Sequence, residues 1–165
     1  MKLYIKQKVF SFNDKFTVKD ETGFDRYFVE GEIFTLGKKL HVYDANRVER
    51  IFLQQKVWSF LPRFFVFVNQ LQVAEIVKEF TFLKPRYAVL GLDWEVNGNF
   101  WAHDYEILSQ GRIVVSIKKE WLAWGDTYVL DIMDPRDELN ALAVVLAIDA
   151  VMSQQRAAGA NSSSR

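Results

Sequence analysis

The chain has 165 residues, half of them hydrophobic, with 21 basic and 21 acidic side chains and therefore no formal net charge. This length and composition predict one domain with a substantial core. The balanced charge argues against a dedicated nucleic-acid binder, because such proteins present a basic surface. Cysteine is absent, which excludes disulfides, thiolate metal sites and palmitoylation.

The N-terminus carries no pattern of a secretory signal. Residues 1–8 alternate between apolar and polar side chains, whereas a signal peptide needs a continuous apolar block. We therefore expect a cytoplasmic protein. Aromatic residues are frequent, with 14 Phe, 6 Tyr and 5 Trp, and they favour the half-buried faces of β-sheets.

The first hundred residues contain strand patterns that are separated by short polar turns. Turn-forming residues recur at Asp20, Asp44, Asn69 and Asn97, about 24 to 28 residues apart, which is the length of one hairpin unit. The last of these predicts a tight turn over 97–99. Each interval holds alternating or aromatic-rich segments that are typical of strands.

The second half continues the same pattern up to residue 132. Pro85 is expected to break strand pairing, because proline has no N–H to donate to a ladder. A further turn is predicted at 109–111, and the final strand at 127–132. We count about twelve evenly spaced strands, a number and spacing typical of a barrel or a sandwich.

A helix is predicted at 135–156. Asp134 is suited to the N-cap and Pro135 to the first helical position. From 139 to 152 only Asn140 and Asp149 are polar, so no face can meet solvent and the helix must be buried on all sides. Its apolar part, roughly 21 Å long, is too short to cross a bilayer.

These elements predict a mainly β fold. About twelve antiparallel strands form a closed barrel, which is wide enough for a helix as its core. The barrel and its central, hydrophobic C-terminal helix make a single domain over 1–156. Residues 157–165 are small and polar, with three consecutive serines, and are expected to form a disordered tail.

Several motifs occur in the order of one protein family. They are the start at 4–10, the turn at 19–23, the segment at 124–128 and the ending at 147–151. Over about residues 1–152 the chain resembles the LURP-one-related proteins, in their bacterial YxjI-like branch. This resemblance implies the tubby C-terminal-like fold, a twelve-stranded barrel around a central helix, and a distant relation to the phospholipid scramblases.

The resemblance also implies a membrane-related function. Tubby domains bind phosphoinositide head groups through a basic cluster on a strand, and scramblases act at membranes. The most similar stretch is 73–89, which contains Lys78, Lys84 and Arg86. With Lys118 on a later strand, these are the predicted contacts for anionic head groups, each worth about 1 kcal/mol near a charged bilayer. The alternative for each is a solvated strand face.

Two acids near the helix ends are predicted structural anchors. Asp134 belongs to an acidic cluster with Asp131, Asp137 and Glu138. Scramblases are thought to bind calcium near this place, but a calcium loop needs about six oxygen ligands and a glycine turn, so we favour helix capping. Asp149 is expected to accept hydrogen bonds at the barrel mouth, with a functional acid as the alternative.

A pocket and a catalytic pair are weaker candidates. Trp101, Trp121 and Trp124 could line a ligand pocket, or they could fill space beside the helix. His41 and His103 lack the spacing of metal ligands, and we expect both on solvent faces of strands. His103 with Asp104 resembles a base and its orienting acid, but no nucleophile motif accompanies them.

The sequence therefore predicts a binding or scaffolding module, not an enzyme, with no cofactor and no metal. Its expected partner is an anionic phospholipid surface or another protein, at a peripheral location on the membrane. The alternative function is a barrel that holds a small apolar ligand beside the central helix. Neither nucleic-acid binding nor a transmembrane span is expected.

Overall fold

The computed structural model describes residues 1–6, 15–32, 36–79, 81, 86–122 and 125–162, with the backbone alone for 101, 121–122, 125–126 and 155–162. Within these residues there are twelve strands and one α-helix, α1, at Glu138–Ser162. The strands are β1 Lys2–Lys6, β2 Lys15–Lys19, β3 Asp25–Gly31, β4 Lys39–Asp44, β5 Glu49–Gln55, β6 Arg63–Val68, β7 Leu71–Glu79, β8 Arg86–Leu90, β9 Glu95–Asn99, β10 Asp104–Ser109, β11 Arg112–Leu122 and β12 Gly125–Ile132.

The twelve strands form one antiparallel sheet that curls into a nearly closed barrel. Its order is β8-β7-β6-β5-β4-β3-β2-β1-β12-β11-β10-β9. Strand β1 pairs with β12, with Lys2 opposite Asp131, and so joins the first strand to the last. The two edges, β8 and β9, are joined by an isolated bridge between Val89 and Trp94. The predicted mainly β, twelve-stranded barrel is confirmed.

The helix α1 lies inside the barrel. Every residue from Ala141 to Ile148 is without exposed surface, and the helix contacts β5, β6, β7 and β12. Alternate strand residues such as Phe64 and Val66 point inward and are fully buried against it. A helix with apolar side chains on every face requires this enclosure. In the described residues, no helix is both long and apolar enough to cross a membrane.

The ends of the helix differ in part from the prediction. A 3₁₀ turn at Pro135–Asp137 precedes α1, and the Asp134 carboxylate accepts the Arg136 N–H at 2.9 Å as the N-cap. Hydrogen bonds from Arg136 lower the pKa of Asp134 to about 2. The helix continues to Ser162 instead of ending at Arg156, because Ala157, Ala158 and Ala160 favour helix strongly. Residues 163–165 lie outside the described part.

The barrel has two chemically different ends. The turn end carries the β2–β3, β4–β5, β6–β7 and β10–β11 turns and the N-terminus of α1. The loop end carries the β3–β4, β5–β6 and β9–β10 connections, and α1 runs toward it. This arrangement follows from the alternating strand directions and from the pairing of β1 with β12.

One predicted turn is wrong. Residues 97–99 belong to β9, and the chain turns instead through a 3₁₀ helix at Phe100–Ala102. Gly98 has a φ of +137°, and a Cβ on it would lie 2.5 Å from the Cα of Tyr105. This glycine therefore permits the close approach of β9 to β10 and does not form a turn.

We expect Leu142→Ala to lower the free energy of unfolding by about 2 to 5 kcal/mol, because Leu142 is fully buried at the centre of the barrel. Leu71→Ala is the matched control, since Leu71 is 71% exposed, and it should change stability by less than about 0.5 kcal/mol. Denaturant unfolding measures both. Equal destabilisation of the two variants would contradict the enclosed position of the helix.

Candidate functional site

Three large apolar side chains project from neighbouring loops at the loop end. Leu36 is 77% exposed, Trp58 94% and Phe60 100%. The two loops touch, because a Cβ on Gly37 would lie 3.1 Å from Val57 Cγ2. We call Leu36, Trp58 and Phe60 the apolar tip. Exposed apolar side chains that share one end of a protein are typical of interaction surfaces, whereas scattered ones are ordinary.

Trp58 also has an unfavourable backbone conformation. Its φ is +62°, in the left-handed region, which costs a non-glycine residue about 1 to 3 kcal/mol. The side chain is almost wholly in solvent. Among the described residues, Arg47, Asn69, Gln70, His103 and Gln110 also have a positive φ, so this conformation alone does not mark a functional site.

Four basic residues lie at the same end of the barrel as the apolar tip. The Lys56 N–H donates to the Arg63 carbonyl at 2.9 Å, and the Lys78 N–H to the Pro62 carbonyl at 3.2 Å. The Lys56 ammonium lies 5.7 Å from the ring centroid of Phe65, on the outer wall. We call Lys38, Lys56, Lys78 and Arg86 the basic collar: Lys38 directly precedes β4, Lys56 directly follows β5, and Lys78 and Arg86 lie at the loop ends of β7 and β8.

The structure places two of the four predicted head-group contacts on adjacent strands but on opposite faces of the sheet. Lys78 is half-buried on β7, and Arg86 is the exposed first residue of β8. Lys78 pairs with the buried Tyr87, whereas Arg86 pairs with Glu79, so their side chains start from different faces at the loop end. Lys118 is exposed on β11, which β9 and β10 separate from β8, and so it is apart from them. Lys84 lies outside the described residues.

Charge is distributed unevenly along the barrel axis. In the loop half of the described chain, basic and acidic side chains are nearly balanced: Lys6, Lys15, Lys38, Lys39, Lys56, Arg63, Lys78, Arg86, Lys118 and Lys119 against Glu30, Glu32, Glu75, Glu79, Asp104, Glu106, Glu120 and Asp149. In the turn half acidic side chains are in excess: Lys2, Lys19, Arg26, Arg47, Arg50, Arg112 and Arg136 against Asp20, Glu21, Asp25, Asp44, Glu49, Asp93, Glu95, Asp131, Asp134, Asp137 and Glu138. Among the described side chains, the negative excess therefore lies at the turn end.

A buried polar cluster lies behind the loop end, beside the helix. The Tyr128 hydroxyl donates to Asp149 Oδ2, and His103 Nε2 lies 3.5 Å from Asp149 Oδ1. The rings of His103 and Tyr128 stack with centroids 4.5 Å apart. Burial, followed by the negative charge of Asp149, raises the pKa of both Tyr128 and Tyr105. These contacts fasten the helix to β12 and to the β9–β10 connection.

The prediction for His103 is wrong. The residue is 5% exposed and caps the 3₁₀ helix in the left-handed region, with φ 49° and ψ 47°. Asp104, its expected orienting acid, is exposed on β10, and the acid beside the imidazole is Asp149 instead. The neighbouring residues His103 and Asp104 in the sequence do not indicate the contact between His103 and Asp149, because Asp149 comes from the helix, far along the chain.

His41 lies on the outward face of β4, where it is half-buried. Its Nε2 is 2.8 Å from Glu32 Oε1 and its Nδ1 is 2.5 Å from Glu49 Oε2.

The predicted pocket tryptophans are not placed: Trp124 and the side chains of Trp101 and Trp121 lie outside the described part, so that pocket stays a prediction.

The acidic cluster before the helix is spread over separate partners. Glu138 accepts from Arg26 and from the Tyr27 hydroxyl, while Asp134 holds Arg136. Asp131 lies 3.9 Å from the Lys2 ammonium. Among the residues that the structure describes, no group of three or more His, Asp or Glu side chains could hold a metal ion.

We expect Asp149→Ala to lower the melting temperature, because it leaves a buried Tyr128 hydroxyl without its acceptor. In a double-mutant cycle, Asp149→Asn and Tyr128→Phe should show a coupling energy of about 0.5 to 3 kcal/mol. Thermal and denaturant unfolding provide the measurements. An unchanged melting temperature together with zero coupling would contradict the anchor role of Asp149.

Comparison with known proteins agrees with this architecture. The LURP-one-related family model matches residues 1–149. The uncharacterised protein YxjI of Bacillus subtilis is 34% identical over 152 residues, which cover 92% of this chain and 94% of YxjI. The X-ray structure of an Arabidopsis thaliana protein superposes with a TM-score of 0.61 at 17% identity, over 90% of each chain, and so shares the fold. The chain belongs to the LURP-one-related family.

Proposed function

We propose that this chain is a non-enzymatic binding module that docks at anionic phospholipid surfaces through its loop end. The observation that carries the proposal is the apolar tip, in which Trp58 and Phe60 are 94% and 100% exposed, at the same end of the barrel as the basic collar. Aromatic side chains are favoured at the boundary between lipid and water. Basic side chains are attracted to anionic head groups.

The two parts of the surface contribute differently. Burying each large apolar side chain of the tip is worth about 1.5 to 3 kcal/mol. Each residue of the basic collar adds about 1 kcal/mol near an anionic bilayer, and this part falls as salt rises. Together they support reversible peripheral attachment.

The charge distribution favours one orientation of the barrel. Acidic residues are in excess at the turn end, so an anionic surface repels that end more than the loop end. A separate observation argues against the alternative of an apolar ligand beside the helix, since the described inner positions of α1 are already buried. The proposed site therefore lies outside the barrel, on its loop end.

Co-sedimentation with vesicles tests the proposal. We expect binding to vesicles that contain phosphatidylserine, little binding to pure phosphatidylcholine, and weaker binding at physiological than at low salt. The double variant Trp58→Ser with Phe60→Ser should reduce binding at least about tenfold, because two apolar side chains are lost. Lys56→Glu should reduce it about tenfold at low salt.

Matched control variants distinguish a loss of binding at the loop end from a general effect of substituting an exposed residue. Leu71→Ser removes an exposed apolar side chain at the turn end, and Arg112→Glu reverses an exposed charge there. Both controls should bind as the unaltered protein does. Equal losses at the two ends, or no binding to anionic vesicles at low salt, would refute docking through the loop end.

A further inference from the structure

A second candidate site lies at the opposite end of the barrel. A cleft of about 590 Å³ opens above the N-terminus of α1, between the β2–β3 and β4–β5 turns. Its volume falls within the range of small-molecule sites, about 300 to 1,000 Å³. The charged residues of its lining are three arginines, Arg26, Arg50 and Arg136, and four acids, Asp20, Asp25, Asp44 and Glu138.

Two arginines in the cleft are held in place by carboxylates. Glu138 accepts from Arg26 Nε and, at 2.8 Å, from Arg26 Nη2. Glu138 also accepts the Tyr27 hydroxyl at 2.8 Å, and Asp44 accepts from Arg50 Nε at 2.7 Å. Among the described residues, Arg26 Nη1 and Arg50 Nη2 have no intramolecular acceptor. Both guanidinium groups are therefore oriented and still offer donors.

Asp20 supplies the opposite charge. Its Oδ1 accepts the Thr22 N–H at 2.8 Å, the Thr22 hydroxyl at 2.6 Å and the Phe24 N–H at 3.1 Å. These bonds, led by the Thr22 hydroxyl, lower the pKa of Asp20 and keep it ionised. Within the described part of the chain, no donor reaches its Oδ2. The cleft thus presents free donors and a free anionic acceptor together.

We propose that this cleft binds a small soluble zwitterion. The phosphate or carboxylate of the ligand lies against Arg26 and Arg50, and its ammonium group lies against Asp20. Arginine is suited to both kinds of anion, because its planar donors match their oxygens. The positive end of the α1 dipole favours the same placement of the anion.

The mixed charge of the cleft selects against simple ions. A plain anion gains the two arginines but meets Asp20 and the acidic surplus of the turn half. A plain cation gains Asp20 but meets the guanidinium groups. A ligand that carries both charges can pair its anion with the arginines and its ammonium group with Asp20. It should therefore bind more tightly than an anion or a cation alone.

Titration followed by two-dimensional NMR tests this proposal in the absence of membranes. The probes are phosphoethanolamine and glycylglycine as zwitterions, with inorganic phosphate and ethanolamine as the separate halves. We expect saturable shifts of amides in the β2–β3 and β4–β5 turns with at least one zwitterion. That zwitterion should bind at least about tenfold more tightly than either half.

Three variants assign the contacts. Asp20→Asn keeps an oxygen for the turn hydrogen bonds and removes the charge. It should weaken zwitterion binding about tenfold, whereas phosphate should bind at least as tightly as before, because the repulsion from Asp20 is gone. Arg50→Gln should weaken both. Arg112→Gln, on β11 at the same end, is the control and should change neither. The phosphoethanolamine group also occurs as a lipid head group, so vesicles of phosphatidylcholine with phosphatidylethanolamine are tested separately. If the protein binds these vesicles and none of the soluble zwitterions, the ligand is not a soluble molecule and the proposal is overturned.

The proposal fails if neither zwitterion gives saturable shifts at millimolar concentration, or if phosphate alone binds as tightly as phosphoethanolamine. Equal effects of Arg50→Gln and Arg112→Gln would also overturn it. Because the assay contains soluble probes and no anionic lipid, its outcome is independent of docking through the loop end.

Discussion

The structure depends on one physical constraint, the complete burial of a helix that has no polar face. From Ala141 to Ile148 nothing of α1 is exposed, and burial of apolar surface is the dominant favourable term in folding. A single helix can be covered on all sides only by a wall that curves around it. The twelve strands provide this wall, and their inward positions must be apolar, which leaves the outer surface and the two ends for recognition.

Polar contacts locate the helix within this apolar interior. At the turn end, Glu138 is held by Arg26 and Tyr27. Near the loop end, Asp149 accepts the Tyr128 hydroxyl and faces His103. Apolar packing alone would permit the helix to slide or rotate, whereas buried polar groups are costly unless they meet their partners. The two acids thus define the position of the helix along and around the barrel axis.

The sequence predicts the fold well, because its information is local. Alternation and turn residues identify the strands, and the unbroken apolar run of 139–152 identifies a helix that needs an enclosing wall. The sequence predicts the sites poorly, because they depend on contacts between distant segments. His103 lies beside Asp149 and not Asp104. Trp58 and Phe60 belong to a short apolar stretch that is indistinguishable in sequence from core strand residues, and only the loop geometry exposes them.

Docking at a lipid surface is proposed for the loop end of the barrel and not for the turn end. The chain has no cysteine, so a single introduced thiol can carry a fluorophore that is sensitive to its environment. Ser59→Cys places it between Trp58 and Phe60, and Ala45→Cys places it on the β4–β5 turn. With anionic vesicles we predict a blue shift and protection from an aqueous quencher for the label at Ser59→Cys alone. An unchanged label at Ser59→Cys, or protection only at Ala45→Cys, would contradict this account.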